Sequence, residues 1–393
     1  MLPLDGIKVL DLSRVLAGPL GSMQLADLGA EVIRIEAPAG KDDIRHWWPF
    51  VGDESTYYLL ANRNKKSVTI NLKSDEGKAL FKQLAKDADV IIENFKTGTL
   101  NRLGFGYDTL QKLKKDIILC SITGYGQTGP YKQLPGYDPV IQAAGGLMDV
   151  TGQPDGEATR VGIPVVDIMT SHYVAISVLA SLRKRDLTGE GEHIDLSLLD
   201  VQVASLANVA SSYLLKGHVS TRVGNTHHNI TPYETFDCAD RPIMVAVGND
   251  RMFQQLAQVM GHPEWKEDSR FQTNEQRIAH RKELRECLVE VFAEKSAAEW
   301  ETRLSSAMIP CGQVNNVEQV FQHPQVKARE MVETTVHPKL GEINIVKNPI
   351  RFKHAKLKAR MHPPLLGEQT EAVLKDYGVS EEAIAELQDK GVI

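Results

Sequence analysis

Cysteine is scarce in this chain. Its 393 residues hold four, Cys120, Cys238, Cys287 and Cys311, far apart and with no CxxC pair. That argues against a disulfide framework or a cysteine zinc site and fits reduced thiols in a cytoplasm. Long apolar runs are missing too. None approaches the ~18 residues of a membrane span, so no membrane contact is expected. Basic excess is absent: 45 Lys and Arg face 51 Asp and Glu, a net charge of −6. This favours solubility and speaks against a nucleic-acid footprint. The opening Met1–Gly6 has no signal-peptide core and no Arg/Ser-rich transit pattern, so a cytoplasmic location is expected. Catalytic signatures are also wanting. The turn after the first strand has no GxGxxG, so a NAD enzyme has no support. No GxSxG and no Cys–His pairing occurs. His227-His228 has no further ligands at supporting spacing, so no metal is expected.

What remains is an ordinary globular composition, 42% apolar and 24% charged, with a length that suits about two or three domains. Gly6–Ser13 reads as a strand, Val15–Ser22 as a turn, Met23–Leu28 as a helix stopped by Gly29, and Ala30–Glu36 as a second strand. Further strands are predicted at Ser67–Leu72, Asp89–Glu93 and Ile117–Ile122, with a helix capped by Ser74 between the first two. This alternation predicts a largely parallel, helix-covered sheet, an α/β class. Thr123–Pro130 is a Gly-rich loop at the C-terminal end of a strand, where open α/β sheets place ligands. His193–Ser197 reads as a strand and Leu199–Leu215 as one long helix. Beyond a polar stretch at 216–231 the pattern changes. A hairpin of Tyr233–Phe236 with Ile243–Val247 is predicted, then helices at Asp250–Met260, Glu275–Glu294 and Ala297–Ser306, a smaller α+β domain. The expected division is 1–200 for a large domain, 201–231 as linker, 232–320 for the small domain, 321–337 as linker, and 338–393 returning to the large domain.

One stretch organises the rest. Val161–Asp167 is β-branched and reads as a short buried strand or strand end, and a helix follows from Ile168. Asp167 sits at the join. Local sequence leaves two readings open: a plain N-cap, or a carboxylate nucleophile held ionised by the helix terminus. In the second, the helix start would also supply N–H donors to an oxyanion.

Several motifs, in order, resemble one family. Val9-Leu-Asp-Leu-Ser-Arg-Val-Leu-Ala-Gly-Pro19, Asp27–Glu36, Asn62–Ser67, Glu93-Asn-Phe95, Cys120–Pro130 and Pro164-Val-Val-Asp167 are similar to the class III CoA-transferases, of the CaiB/BaiF type. The resemblance runs over nearly the whole chain, including Pro363–Gly367, and is strongest to the branch that uses succinyl-CoA with glutarate or hydroxymethylglutarate. It implies a Rossmann-like large domain and a homodimer of interlocked rings. It implies Asp167 as the catalytic nucleophile. It implies CoA contacts at Leu16, Ala17, Leu72, Lys73, Asn94, Phe95 and Arg102, and acyl or carboxylate contacts at Trp47, Tyr137, Asp138, Gly248 and Asn249. Coenzyme A thioesters would be substrates, not a resident cofactor. The chain also departs from relatives. Leu16 stands where formyl-CoA:oxalate enzymes have Gln, the mobile glycine run is reduced to Val247–Asp250, and Ala37 replaces a common Arg. Tyr137 stands where α-methylacyl-CoA racemases of the same fold bring a His, and a phenol of pKa near ~10 is a poor base at neutral pH. The remaining alternative is a CoA-binding protein without turnover.

Overall fold

The Val/Ile-rich runs pair as one parallel sheet in the computed structural model, which describes residues 1–393. Its strands are β1 (Lys8–Asp11), β2 (Glu31–Glu36), β3 (Lys65–Thr69), β4 (Val90–Glu93), β5 (Ile118–Thr123) and β6 (Glu192–Ser197). The order across the sheet is β3-β2-β1-β4-β5-β6, every neighbouring pair parallel. Alternate residues enter opposite cores, as the strand period of two requires. Val9, Val90, Ile92, Ile118 and Cys120 join one apolar cluster. Leu10, Ile91 and Leu119 join the other.

Helices cover both faces. They include α1 (Ala17–Asp27), α2 (Asp75–Asp87), α3 (Asp138–Ala144) and α4 (Val165–Thr188), of which α1, α3 and α4 position the site. α1 begins earlier than expected, because Gly18, Pro19 and Gly21 are helical. Pro19 is tolerated in the first turn, where a backbone N–H has no intrahelical partner. Gly21 is needed for packing: a Cβ there would lie 2.7 Å from Cβ of Val174 on α4. The strand expected at Val161–Asp167 does not form. Val165 and Val166 enter the first turn of α4, whose buried stripe Val166, Thr170, Val174, Val178 and Leu182 has helical spacing and outweighs their β-preference. α4 is long and apolar enough by composition to cross a membrane, but that stripe packs into the sheet's core.

The long helix expected after β6 is two, α5 (Leu198–Ala204) and α6 (Ala207–Lys216), 74° apart. Ala207 breaks the ladder between them with φ +47°.

Two compact units result. The first comprises Met1–Leu147, Arg160–Gly217 and Arg329–Ile393; the second comprises Met148–Thr159 and His218–Ala328. The stretch 201–231 therefore holds part of α5 and all of α6, and 321–337 holds a helix at Pro324–Ala328 and the whole of a strand at Val332–His337. In the second unit the hairpin Tyr233–Asp237 with Pro242–Ala246 gains a third antiparallel strand, Cys311–Gln313, which sequence reading missed. The helix expected over Glu275–Glu294 divides at His280 into Asn274–Ala279 and Arg281–Phe292. These elements enclose a core that includes Phe236, Phe253, Phe292 and Trp300.

Candidate active site

The sheet order reverses between β1 and β4. Chains leaving these two strands diverge, and a crevice opens at their C-terminal ends. A cavity of about 320 Å³ lies there, lined by first-unit residues only. Arg14, Val15 and Leu16 follow β1, Asn94, Phe95 and Lys96 follow β4, and Thr123 and Gly124 end β5. Asn94 ties the first two exits together. Its side-chain oxygen accepts the Arg14 amide and its side-chain nitrogen donates to the Arg14 carbonyl, each at 2.8 Å. The Arg14 guanidinium sits 5.6 Å from the Phe95 ring centroid, a cation–π distance.

The β5 exit opens into a loop closed at its neck by two glycines. A Cβ on Gly124 would lie 2.6 Å from Cα of Gly136, so neither position admits a side chain. Inside the loop the Gly126 amide donates to Thr123 Oγ1 at 2.7 Å, and the Gln127 amide donates to the Asp195 carboxylate. Tyr125 and Tyr131 meet edge to face. The loop carries Lys132, Gln133, Leu134 and Tyr137 to the cavity wall.

Asp167 reaches the cavity from the first turn of α4. It is not the cap. Pro164 holds that place and offers no side-chain bond. Asp138, the first residue of α3, supplies the capping carboxylate instead. Its Oδ2 accepts the amides of Val166 at 2.7 Å and Asp167 at 3.3 Å, and its Oδ1 accepts Gln142 Nε2 at 2.6 Å. Gln142 Oε1 in turn accepts the Val161 amide. Two expectations change. Asp138 is 4% exposed and does not line this cavity. The amides of Val166 and Asp167 are engaged by Asp138, so they are not free oxyanion donors. Nor does the helix end hold Asp167 ionised. Burial, and then the negative charge of Asp138, push its carboxyl up to about 7.

The structure brings Leu16, Ala17, Asn94, Phe95, Tyr137 and Asp167 to one cavity. The others lie elsewhere. Leu72 is half-buried against the opposite apolar cluster. Lys73 is exposed, its amide bonded to Asn71. Arg102 is exposed and donates to Thr99 Oγ1. Trp47 is at the surface, its ring edge-on to Tyr57. Gly248 and Asn249 belong to the second unit, where Asn249 caps the helix Asp250–Met260. Sequence reading missed Arg14, Val15, Asp43, Lys96 and Lys132 in the lining. Their signal was proximity: each lies within a few residues of a recognised motif or turn. Arg14, Lys96 and Lys132 form no ion pair within the chain, and three free cations around a concave site favour an anionic ligand.

The model of CoA-transferase family III matches residues 4–370. Among curated relatives, succinyl-CoA:glutarate CoA-transferase of Homo sapiens is 42% identical over 393 residues, covering 100% of this chain and 90% of that one. Succinate–glutarate CoA-transferase of Agrobacterium fabrum is 41% identical, with 95% of each covered. The crystal structure of a CaiB/BaiF family protein from Brucella suis superposes with a TM-score of 0.86 at 40% identity, covering 96% of this chain and 99% of that one. A parallel sheet with its crevice at the β1/β4 reversal, the ordered motifs and these full-length matches agree: the chain is an enzyme of CoA-transferase family III.

Proposed function

We propose that the enzyme moves CoA from a dicarboxylyl-CoA, succinyl-CoA first among them, to a second dicarboxylate such as glutarate or hydroxymethylglutarate, with Asp167 as the nucleophile. One observation carries this reading. Asp167 is an aspartate on the cavity wall whose carboxylate has no hydrogen-bond donor within the chain, so its lone pairs are free to attack. The unpaired cations of the wall support an anionic substrate.

The steps follow from that carboxylate. An Asp167 oxygen attacks the thioester carbonyl, the C–S bond breaks, and CoA leaves as thiolate from a mixed anhydride. The thiolate attacks the aspartyl carbonyl and releases succinate, leaving an aspartyl-CoA thioester. The acceptor carboxylate attacks that carbonyl and expels the thiolate, giving a second anhydride. Thiolate attack on the acceptor's acyl carbon then forms the new thioester and frees Asp167. Each step exchanges one activated acyl bond for another, so no ATP is consumed. The ionised form of Asp167 does the attacking, so the first step speeds up as pH rises through about 7.

The reading includes a homodimer of interlocked rings in a reducing, cytoplasmic setting. It is supported by the exposed Tyr213, Leu214 and Leu215 of α6, at 59%, 78% and 83% exposure, an apolar surface that favours a partner. It is also supported by four free thiols. The test is initial-rate assay of succinyl-CoA against glutarate, hydroxymethylglutarate, itaconate, malate and oxalate. Glutarate or hydroxymethylglutarate should lead; oxalate as best acceptor, or solvent deuterium entering Cα of a 2-methylacyl-CoA, would overturn the assignment.

A further inference from the structure

Val15 has a left-handed backbone, φ +62°. A β-branched side chain is strained there, and such strain persists only where the surroundings over-determine it. Val15 lies on the cavity wall at the turn from β1 into α1. Asn94 grips the preceding residue through both backbone groups of Arg14. Asp42 grips Val15 itself. Its Oδ1 accepts the Val15 amide at 3.2 Å and the Ile44 amide at 3.4 Å. One carboxylate oxygen thus ties the β1 exit to the short 3₁₀ turn Asp43–His46, whose first residue also lines the cavity. The other oxygen pairs with Arg34. Asp42 is 5% exposed and Arg34 1%. Arg34 also faces Asp11 and Glu36 at 3.6 Å each. A buried cation therefore fixes the carboxylate that fixes the turn.

We infer that Asp42 is a positioning residue for CoA binding. Through Val15 it sets the backbone at the start of α1, so that Leu16 and Ala17 meet the ligand in one arrangement. No side chain caps α1, which leaves its first amides available to a ligand. Asp42 touches no ligand and acts only through the turn. The inference rests on reading the cavity as the CoA site.

Calorimetric titration of the full chain with free CoA tests it, because binding is read apart from transfer. Asp42→Ala should raise the Kd roughly tenfold, the effect of one lost buried hydrogen bond to a charged group. Adding Val15→Gly to that variant should recover at least ~threefold, since glycine holds a positive φ without a clamp. Glu36→Gln removes a charge beside Arg34 and from the Arg45 side chain but leaves the Asp42 bond to the Val15 amide in place, and should change the Kd by less than about twofold. If Asp42→Ala does not fold, Asp42→Asn keeps an acceptor for Val15 and should show a smaller loss, again relieved by Val15→Gly. Unchanged affinity in the Asp42 variants, a loss that Val15→Gly does not relieve, or an equal loss in Glu36→Gln would overturn the positioning role alone. Wild-type protein that binds no CoA would overturn the cavity reading and the inference with it.

Discussion

Asp138 caps the helix that carries Asp167: its Oδ2 accepts the Val166 amide at 2.7 Å and the Asp167 amide at 3.3 Å. One aspartate therefore holds the other in place and, after burial, adds its charge to what raises the other's pKa. The two effects oppose each other chemically. Capping fixes the direction of the Asp167 carboxylate, while the neighbouring charge makes that carboxylate harder to form and more reactive once formed.

Asp138→Asn separates them. The amide oxygen can still accept from Val166, so the helix start survives. The charge that raises the Asp167 pKa is gone, so the midpoint of the pH–kcat/KM profile should fall by about half to one unit. The new amide also faces Gln142 Nε2, a donor, so urea denaturation should show a loss of roughly 1–3 kcal/mol. A midpoint unmoved from wild type would mean that burial alone raises Asp167.

Asp167→Asn should stabilise the fold at alkaline pH. The unfolded Asp ionises near 3.8, while the folded one stays protonated up to about 7. Between these values the native state binds more protons than the unfolded state, so wild-type stability falls as pH rises through the window. Asparagine carries no such penalty. The variant's advantage should be small near pH 4 and grow to ~1–3 kcal/mol at pH 8, discounted from about 1.4 kcal/mol per pKa unit because the side chain is only half-buried. Urea midpoints at the two pH values check it; equal differences at both would contradict the raised pKa.

Gly21→Ala reverses the usual helix rule. In an exposed helix the change gains ~0.5–1 kcal/mol. Here the new methyl would lie 2.7 Å from Val174 Cβ and 3.1 Å from the Ser171 carbonyl oxygen. Pushing α1 from α4 should cost ~1–3 kcal/mol net and lower kcat, because α4 carries Asp167. Thermal denaturation and steady-state kinetics measure both. A more stable variant would mean that the two helices are looser than this packing.

The sheet was legible because its inner strands, β2, β1, β4 and β5, are buried runs rich in Val, Ile and Leu between turn residues, and burial leaves that pattern few alternatives. Gly18 and Gly21 misled, since glycine serves a turn and a close helix contact equally well. Val165 and Val166 misled for a related reason: β-preference is local, and their burial on α4 comes from tertiary packing. The motif resemblance pointed to Asp167, whereas its cap lies 29 positions away at Asp138, a separation over which no periodicity speaks. Leu16, Asn94 and Phe95 line the cavity because they follow the strands that flank the crevice. Leu72, Lys73 and Arg102 lie outside this cavity. Lys132 was missed because the Gly-rich loop was read as ending at Pro130, and only the Gly124–Gly136 neck reveals its full extent.

The central claim is the covalent role of Asp167. Incubation with succinyl-CoA and hydroxylamine, followed by peptide mass mapping, measures it directly. The account predicts a hydroxamate on Asp167, formed faster as pH rises through about 7, and none in Asp167→Ala. Modification at another residue, or a wild-type chain that transfers CoA yet captures nothing at Asp167, would contradict it.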